Sequence, residues 1–207
     1  MTISRRNVLS GALAAPALIA SARMGSLAAA QTLKISHQFP GGTIDEGDFR
    51  DRLCKKFAVE LEKRTNGAVT AQVYPNSSLM KTVAQFSAVR KGALDLSLYP
   101  ISYAGGEYAE LNIGLMPGLV SSYPQGTAWK NSAVGQKFSA FLAEKGVVIL
   151  SWIWQAGGVA SRSAPIVNPQ DAKGLKVRGG SREMDMVLQA AGATTLTTPS
   201  NGAVTFV

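Results

Sequence analysis

The chain has 207 residues, with 21 Lys and Arg against 13 Asp and Glu, a formal net charge of +8. That length allows one full domain, or one domain and part of a second. The basic residues are scattered rather than packed into a run, which argues against nucleic acid as a partner; a single cysteine, Cys54, excludes an internal disulfide, and a single histidine, His37, leaves too few ligands for a zinc site of the usual kind.

Residues 1–30 read as a cleavable signal peptide, so the chain is expected in the periplasm. Arg5 and Arg6 precede an uncharged apolar stretch, Val8 to Ala20, and the small-residue run Ala28-Ala29-Ala30 suits a signal peptidase. The apolar core of about 13 residues falls short of the roughly 20 that a membrane span needs. It is therefore a removed address rather than an anchor. Ser4-Arg5-Arg6-Asn7-Val8-Leu9 resembles the twin-arginine export motif; an ordinary secretory signal that holds two arginines is the alternative. Cleavage would leave 18 basic and 13 acidic side chains, a net +5, a mild excess that favours anionic small molecules.

Leu33 to His37 alternates apolar and polar and predicts a first strand, followed by the loop Pro40-Gly41-Gly42. Leu53, Phe57 and Leu61 recur every four residues, with Cys54 and Ala58 beside them, which predicts the buried stripe of a helix. Lys63-Arg64 and Asn66-Gly67 close it. Cys54 is read as a small core residue rather than a catalytic thiol. Val69, Ala71 and Val73 give a second strand, stopped by Pro75, and Leu79 to Val89 a second helix, ended by Gly92. Leu94, Leu96 and Leu98 give a third strand, running to Tyr99-Pro100. A loop region follows, then a third helix over Trp129 to Leu142, closed by Gly146. Val147 to Trp154 is mostly apolar and predicts a strand buried on both faces. Asn168-Pro169 caps a short helical turn, Leu175 to Arg178 is a strand entering Gly179-Gly180, and Ser181 caps a last helix with Met184, Val187, Leu188 and Ala191 as its apolar side.

Strands alternating with helices point to an α/β fold with largely parallel strands. Ligands of such sheets sit beyond the carboxyl ends of the strands, which singles out the loops after His37, Tyr99, Trp154 and Arg178. Arg178 has the donor fork to hold a carboxylate through two parallel hydrogen bonds, and Gly179 lets the backbone approach a ligand closely. A solvent-facing strand end or a structural ion pair is the competing reading of that arginine. No Gly-x-Ser-x-Gly elbow, dinucleotide fingerprint or Walker loop is present, so no catalytic residue and no cofactor are assigned. Asp45, Glu46 and Asp48 are read as a solvated loop, against a calcium or acid–base site.

Asn168-Pro169-Gln170-Asp171-Ala172-Lys173-Gly174-Leu175-Lys176-Val177-Arg178 resembles the "P-x-D-L-K-G-L-K-I-R" segment of the solute-binding proteins of TRAP transporters, the type named for four-carbon dicarboxylates. Glu62 to Gly67, Tyr74 to Leu79, Lys91 to Leu96, Gly146 to Leu150 and Ala190 to Ala193 resemble further family stretches in the same order. The resemblance implies a periplasmic-binding-protein fold with two α/β lobes around a cleft, residues 31–154 forming the first lobe and 155–207 an incomplete second one. It implies a receptor, not an enzyme, that hands a small organic acid to membrane permease subunits, with no membrane span of its own after signal cleavage. The family's carboxylate-gripping arginine matches Arg178. Trp154, His37, Tyr99 and Gly179 complete the expected ligand-binding set.

Two departures shape the expectation further. The family's second arginine has no counterpart in Ala156-Gly157-Gly158-Val159-Ala160, which favours a monocarboxylate with an apolar or aromatic body. The family pattern also runs well past the equivalent of Val207, so poor independent folding is expected of residues 31–207. The amino-terminal part of an exported periplasmic enzyme is the competing function, and a sensor domain on the same fold a third.

Overall fold

The computed structural model describes residues 31–162 and 164–205; the expected signal peptide lies outside them. Three strands form one parallel sheet in the order β2-β1-β3: β1 (Gln31–His37), β2 (Val69–Tyr74) and β3 (Leu96–Leu98). Ile35 of β1 pairs with Val73 on one side and Leu96 on the other. Helix α1 (Phe49–Arg64) links β1 to β2, and α2 (Gln85–Arg90), entered through a 3-10 turn at Thr82–Ala84, links β2 to β3. A second parallel pair, β4 (Lys176–Gly179) and β5 (Thr194–Thr197), encloses helix α5 (Arg182–Ala190), with Arg178 opposite Leu196. The expected α/β architecture with parallel strands is what the chain adopts.

Between the two sheets runs a helical stretch. It holds 3-10 turns at Ile101–Ala104 and Ala109–Leu115, then α3 (Tyr123–Ala128) and α4 (Ala133–Glu144). The expected single third helix is divided at Ser132. Its extended backbone and its side chain, which accepts from the Gly135 N–H at 3.0 Å, start α4 afresh. The main apolar core, Phe86, Ala104, Leu111, Phe138 and Leu142, lies where these helices meet the first sheet.

Three expectations are corrected. The buried side of α1 is Asp51, Cys54, Ala58 and Leu61, while Leu53 and Phe57 are about two-fifths exposed. Asp51 causes this roll. Its fully buried carboxylate accepts from His37 Nε2 at 3.2 Å, Gly42 N–H at 2.9 Å and Lys55 Nζ at 2.6 Å. A buried charge must meet its partners, and the helix turns to let it. On α5 Asp185 likewise lies on the buried side, hydrogen-bonded to Thr197 Oγ1 with its Oδ1 unpartnered among the described residues, and Val187 is exposed.

The third correction concerns Val147 to Trp154, which is not a strand and is not buried on both faces. Val147, Ile149 and Trp152 pack on the core, but Val148 and Leu150 are 73% and 68% exposed. Among the described residues no strand pairs with this segment, so its outer face is uncovered. The alternation of period two is that of extended chain packed on one side only.

The α1 roll is testable by urea unfolding. Asp51→Ala strips His37 and Lys55 of their partner and should cost about 3 kcal/mol. Leu53→Ala, at a half-exposed position, should cost less than about 1 kcal/mol. Equal losses would contradict the burial pattern.

Candidate ligand site

The carboxyl ends of β1, β3, β4 and β5 converge on one phenol. Tyr103 stands on the 3-10 turn that follows β3. Its Oη accepts from Gln38 Nε2, one residue past β1, at 3.3 Å. It accepts from Arg178 Nη2 on β4 at 2.8 Å and from the backbone N–H of Ser200, just past β5, at 3.1 Å. Arg178 Nε donates to the Thr198 carbonyl at 2.7 Å, and its guanidinium lies 5.8 Å from the Tyr103 ring centre. Ser102 Oγ donates to the Gly180 carbonyl at 3.2 Å, which ties the same turn to the loop after β4. Burial pushes the Tyr103 phenol up, but the hydrogen bond from Gln38, the positive charge of Arg178 and the contacts with Ser200 outweigh it and hold the group below the usual tyrosine value of 10.0.

Half of the Arg178 fork is spent on fixing the side chain. Nε and Nη2 have protein partners, and Nη1 has none among the described residues. A planar guanidinium fixed on one edge and open on the other is the arrangement that meets a carboxylate or phosphate in a defined plane.

The predicted set divides. Tyr99 reaches this cluster: its ring meets that of Tyr103 edge-on at 5.9 Å and stacks on Phe86 at 6.2 Å. Its hydroxyl is buried without a partner, and burial raises its pKa. Gly179 is buried behind Arg178. A Cβ there would come within 1.6 Å of Asp185 Oδ1, so the glycine makes room for a carboxylate of the protein's own.

His37 and Trp154 stand elsewhere. His37 is fully buried, with Nε2 on Asp51 and Nδ1 unpartnered. A carboxylate only accepts, so Nε2 carries the hydrogen. A second ring proton would find no acceptor, and burial lowers the His37 pKa below 6.5 against the pull of Asp51. Trp154 packs against Trp129 and Trp152, with ring centres 5.2 and 6.3 Å away. Gly126 admits that packing, since a Cβ there would lie 2.7 Å from the indole.

Sequence reasoning missed Gln38, Tyr103 and Ser200. Each lies one to five residues past a strand end. The carboxyl-end rule named the loops after His37 and Tyr99, which supply Gln38 and Tyr103; it also named the loop after Trp154, which follows no strand and lies elsewhere, and did not name the loop after β5, which supplies Ser200. Cys54 is buried and its thiol is pushed up to about 12 by burial, as befits a core residue. Asp48 caps α1 and pairs with Arg50 at 2.6 Å, which makes the acidic loop a helix start. No helix among the described residues is long and apolar enough to cross a membrane.

The model of "Bacterial extracellular solute-binding protein, family 7" matches residues 43–202. A solute-binding protein of Albidiferax ferrireducens is 66% identical over 89% of this chain and 55% of its own length. The 2,3-diketo-L-gulonate-binding periplasmic protein of Escherichia coli is 28% identical over 76% of the chain and 47% of its own length. Among solved structures, a TRAP periplasmic solute-binding protein of Rhodoferax ferrireducens with bound malonate superposes with a TM-score of 0.81 at 66% identity, covering 83% of this chain and 54% of that one. The chain thus spans about half the length of the relatives it matches.

The buried histidine gives a direct measurement. His37 is the sole histidine, so one imidazole resonance reports its titration by NMR. Its midpoint should lie below 6.5. The unfolded chain then takes up a proton that the folded chain refuses, so this contribution to stability is whole above pH 6.5 and declines as pH falls from there to the folded midpoint. A midpoint above 6.5 would contradict the neutral, Asp51-bound ring.

Proposed function

This chain belongs to family 7 of the bacterial extracellular solute-binding proteins, and from that membership we propose that it captures a small organic acid in the periplasm and passes it to the permease subunits of a TRAP-type transporter. The observation that carries the reading is Arg178. Its guanidinium is pinned by Thr198 and Tyr103 and keeps Nη1 uncommitted where four strand ends meet. The β2-β1-β3 sheet and the β4-β5 pair then act as the starts of two lobes, residues 31–154 and 155–207, with the ligand between them. Binding and delivery, not catalysis, are the role proposed, and residues 1–30 serve as the export address.

Within that role the ligand is a monocarboxylate with an apolar or aromatic body. The support is compositional: one arginine serves the site, and Leu115 and Met184 line the approach to Gly180 beside it. A short dicarboxylate is the second reading, favoured by the malonate in the 66% identical Rhodoferax ferrireducens protein.

A thermal-shift panel separates them. Aromatic and branched monocarboxylates should stabilise the chain more than malonate or succinate; the reverse order would select the dicarboxylate, and equal tight binding of succinate and aromatic monoacids would count against the first reading. In either case Arg178→Ala should abolish the carboxylate response, a loss of at least about 100-fold in affinity for a charge-assisted pair. A response that survives this change would remove Arg178 from the site.

A further inference from the structure

We propose that Gly180 is the residue that admits a ligand to Arg178: the side chain it lacks leaves open the space beside Nη1 where the carboxylate sits. This rests on the carboxylate reading above and adds a specificity-determining residue to it.

The two glycines that follow Arg178 differ in what the fold asks of them. At Gly179 a Cβ would come within 1.6 Å of Asp185 Oδ1, so the backbone there has no room for a side chain. At Gly180 nothing forbids one. Its φ lies outside the left-handed region. A Cβ would meet Met184 Sδ at 3.6 Å and Arg178 Nη1 and Leu115 Cδ1 at 3.7 Å, all ordinary contact distances. Glycine at a position that tolerates alanine lowers stability, because it leaves the unfolded chain more freedom. Neither packing nor backbone geometry accounts for the empty space at 180.

The neighbours of that space do. Nη1 has no partner among the described residues, and it is not one of the unpartnered atoms sealed from solvent. A carboxylate oxygen accepting from it lies about 2.8 Å away, which sets the carboxylate carbon at roughly the 3.7 Å of the missing Cβ. A methyl group at 180 and a carboxylate on Nη1 then compete for one place. Gly180 is buried, but the side chains around the space are not: Leu115 is 38% exposed, and Arg178 and Met184 are half-buried. The ligand enters past them, and two apolar side chains beside the donor suit a carboxylate whose next atoms are carbon. The close approach that the sequence assigns to Gly179 falls to its neighbour.

The test uses the full chain, malonate as the probe, calorimetry for affinity and thermal unfolding of the free protein. Gly180→Ala should leave the thermal midpoint unchanged or raise it by up to a few degrees. It should weaken malonate binding at least about 10-fold, the loss for a blocked hydrogen bond to a charged group. Stability kept and affinity lost is a combination that a merely structural glycine does not give. In a crystal structure of the unsubstituted complex, a carboxylate oxygen should lie within about 4 Å of Gly180 Cα. Unchanged or tighter binding by Gly180→Ala, or a midpoint lowered by more than a few degrees, would overturn the proposal. Arg178→Ala, measured alongside, separates the two readings. If it loses malonate while Gly180→Ala keeps it, only Gly180 leaves the site; if it keeps malonate, the anchor reading and this inference fall together.

Discussion

The first sheet is organised around one buried charge. Asp51 has no contact with water, and a carboxylate in that position is tolerable only with partners in place. Lys55 supplies the positive charge, His37 a neutral N–H and Gly42 a backbone N–H. The three come from α1 itself, from the end of β1 and from the loop between them, so one side chain joins strand, loop and helix. It also fixes where β1 stops. His37 is drawn into the interior, and the next residue, Gln38, is delivered to the opposite purpose of holding Tyr103.

That division of labour accounts for what the sequence made legible. Periodicity located β1, β2, β3, β4 and α1 because alternation and four-residue recurrence record which way side chains face. It misjudged the roll of α1 and of α5 for the same reason in both. Asp51 and Asp185 are polar residues on the buried side, and a reading that sorts apolar from polar assigns them outward and takes Leu53 or Val187 in their place. Cys54 was legible because its neighbours in the helix agree with a buried position whichever way the stripe is drawn. Val147 to Trp154 was misread because composition cannot tell extended chain packed on one face from extended chain covered on two; the difference lies in the neighbouring strands.

Of the proposed site, the sequence pattern named some of the loops and one side chain. Arg178 stood out because a guanidinium before two glycines has a limited set of uses. The residues that position it were hidden. Gln38, Tyr103 and Ser200 belong to three different connections, and their common point is a phenol oxygen that no local pattern announces. The donor geometry exists only once two sheets face each other, so it is a tertiary fact. It also bears on how tightly the proposed ligand would be held. An arginine already tied by Nε and Nη2 has less side-chain freedom left to lose, and what is fixed before binding does not subtract from affinity afterwards.

The three indoles described above have an optical consequence. Trp129, Trp152 and Trp154 are all the tryptophans of the chain, and their ring centres lie 5.2 to 6.4 Å apart. At such spacings excitation passes among the rings and their transitions couple. The tryptophan emission of the protein is thus a signature of a single joint, the one between α3, α4 and the extended segment. None of the three belongs to the Tyr103–Arg178 cluster. Ligand arriving at Arg178 would be dark to this signal, and a change of emission on binding would mean that the joint itself had moved.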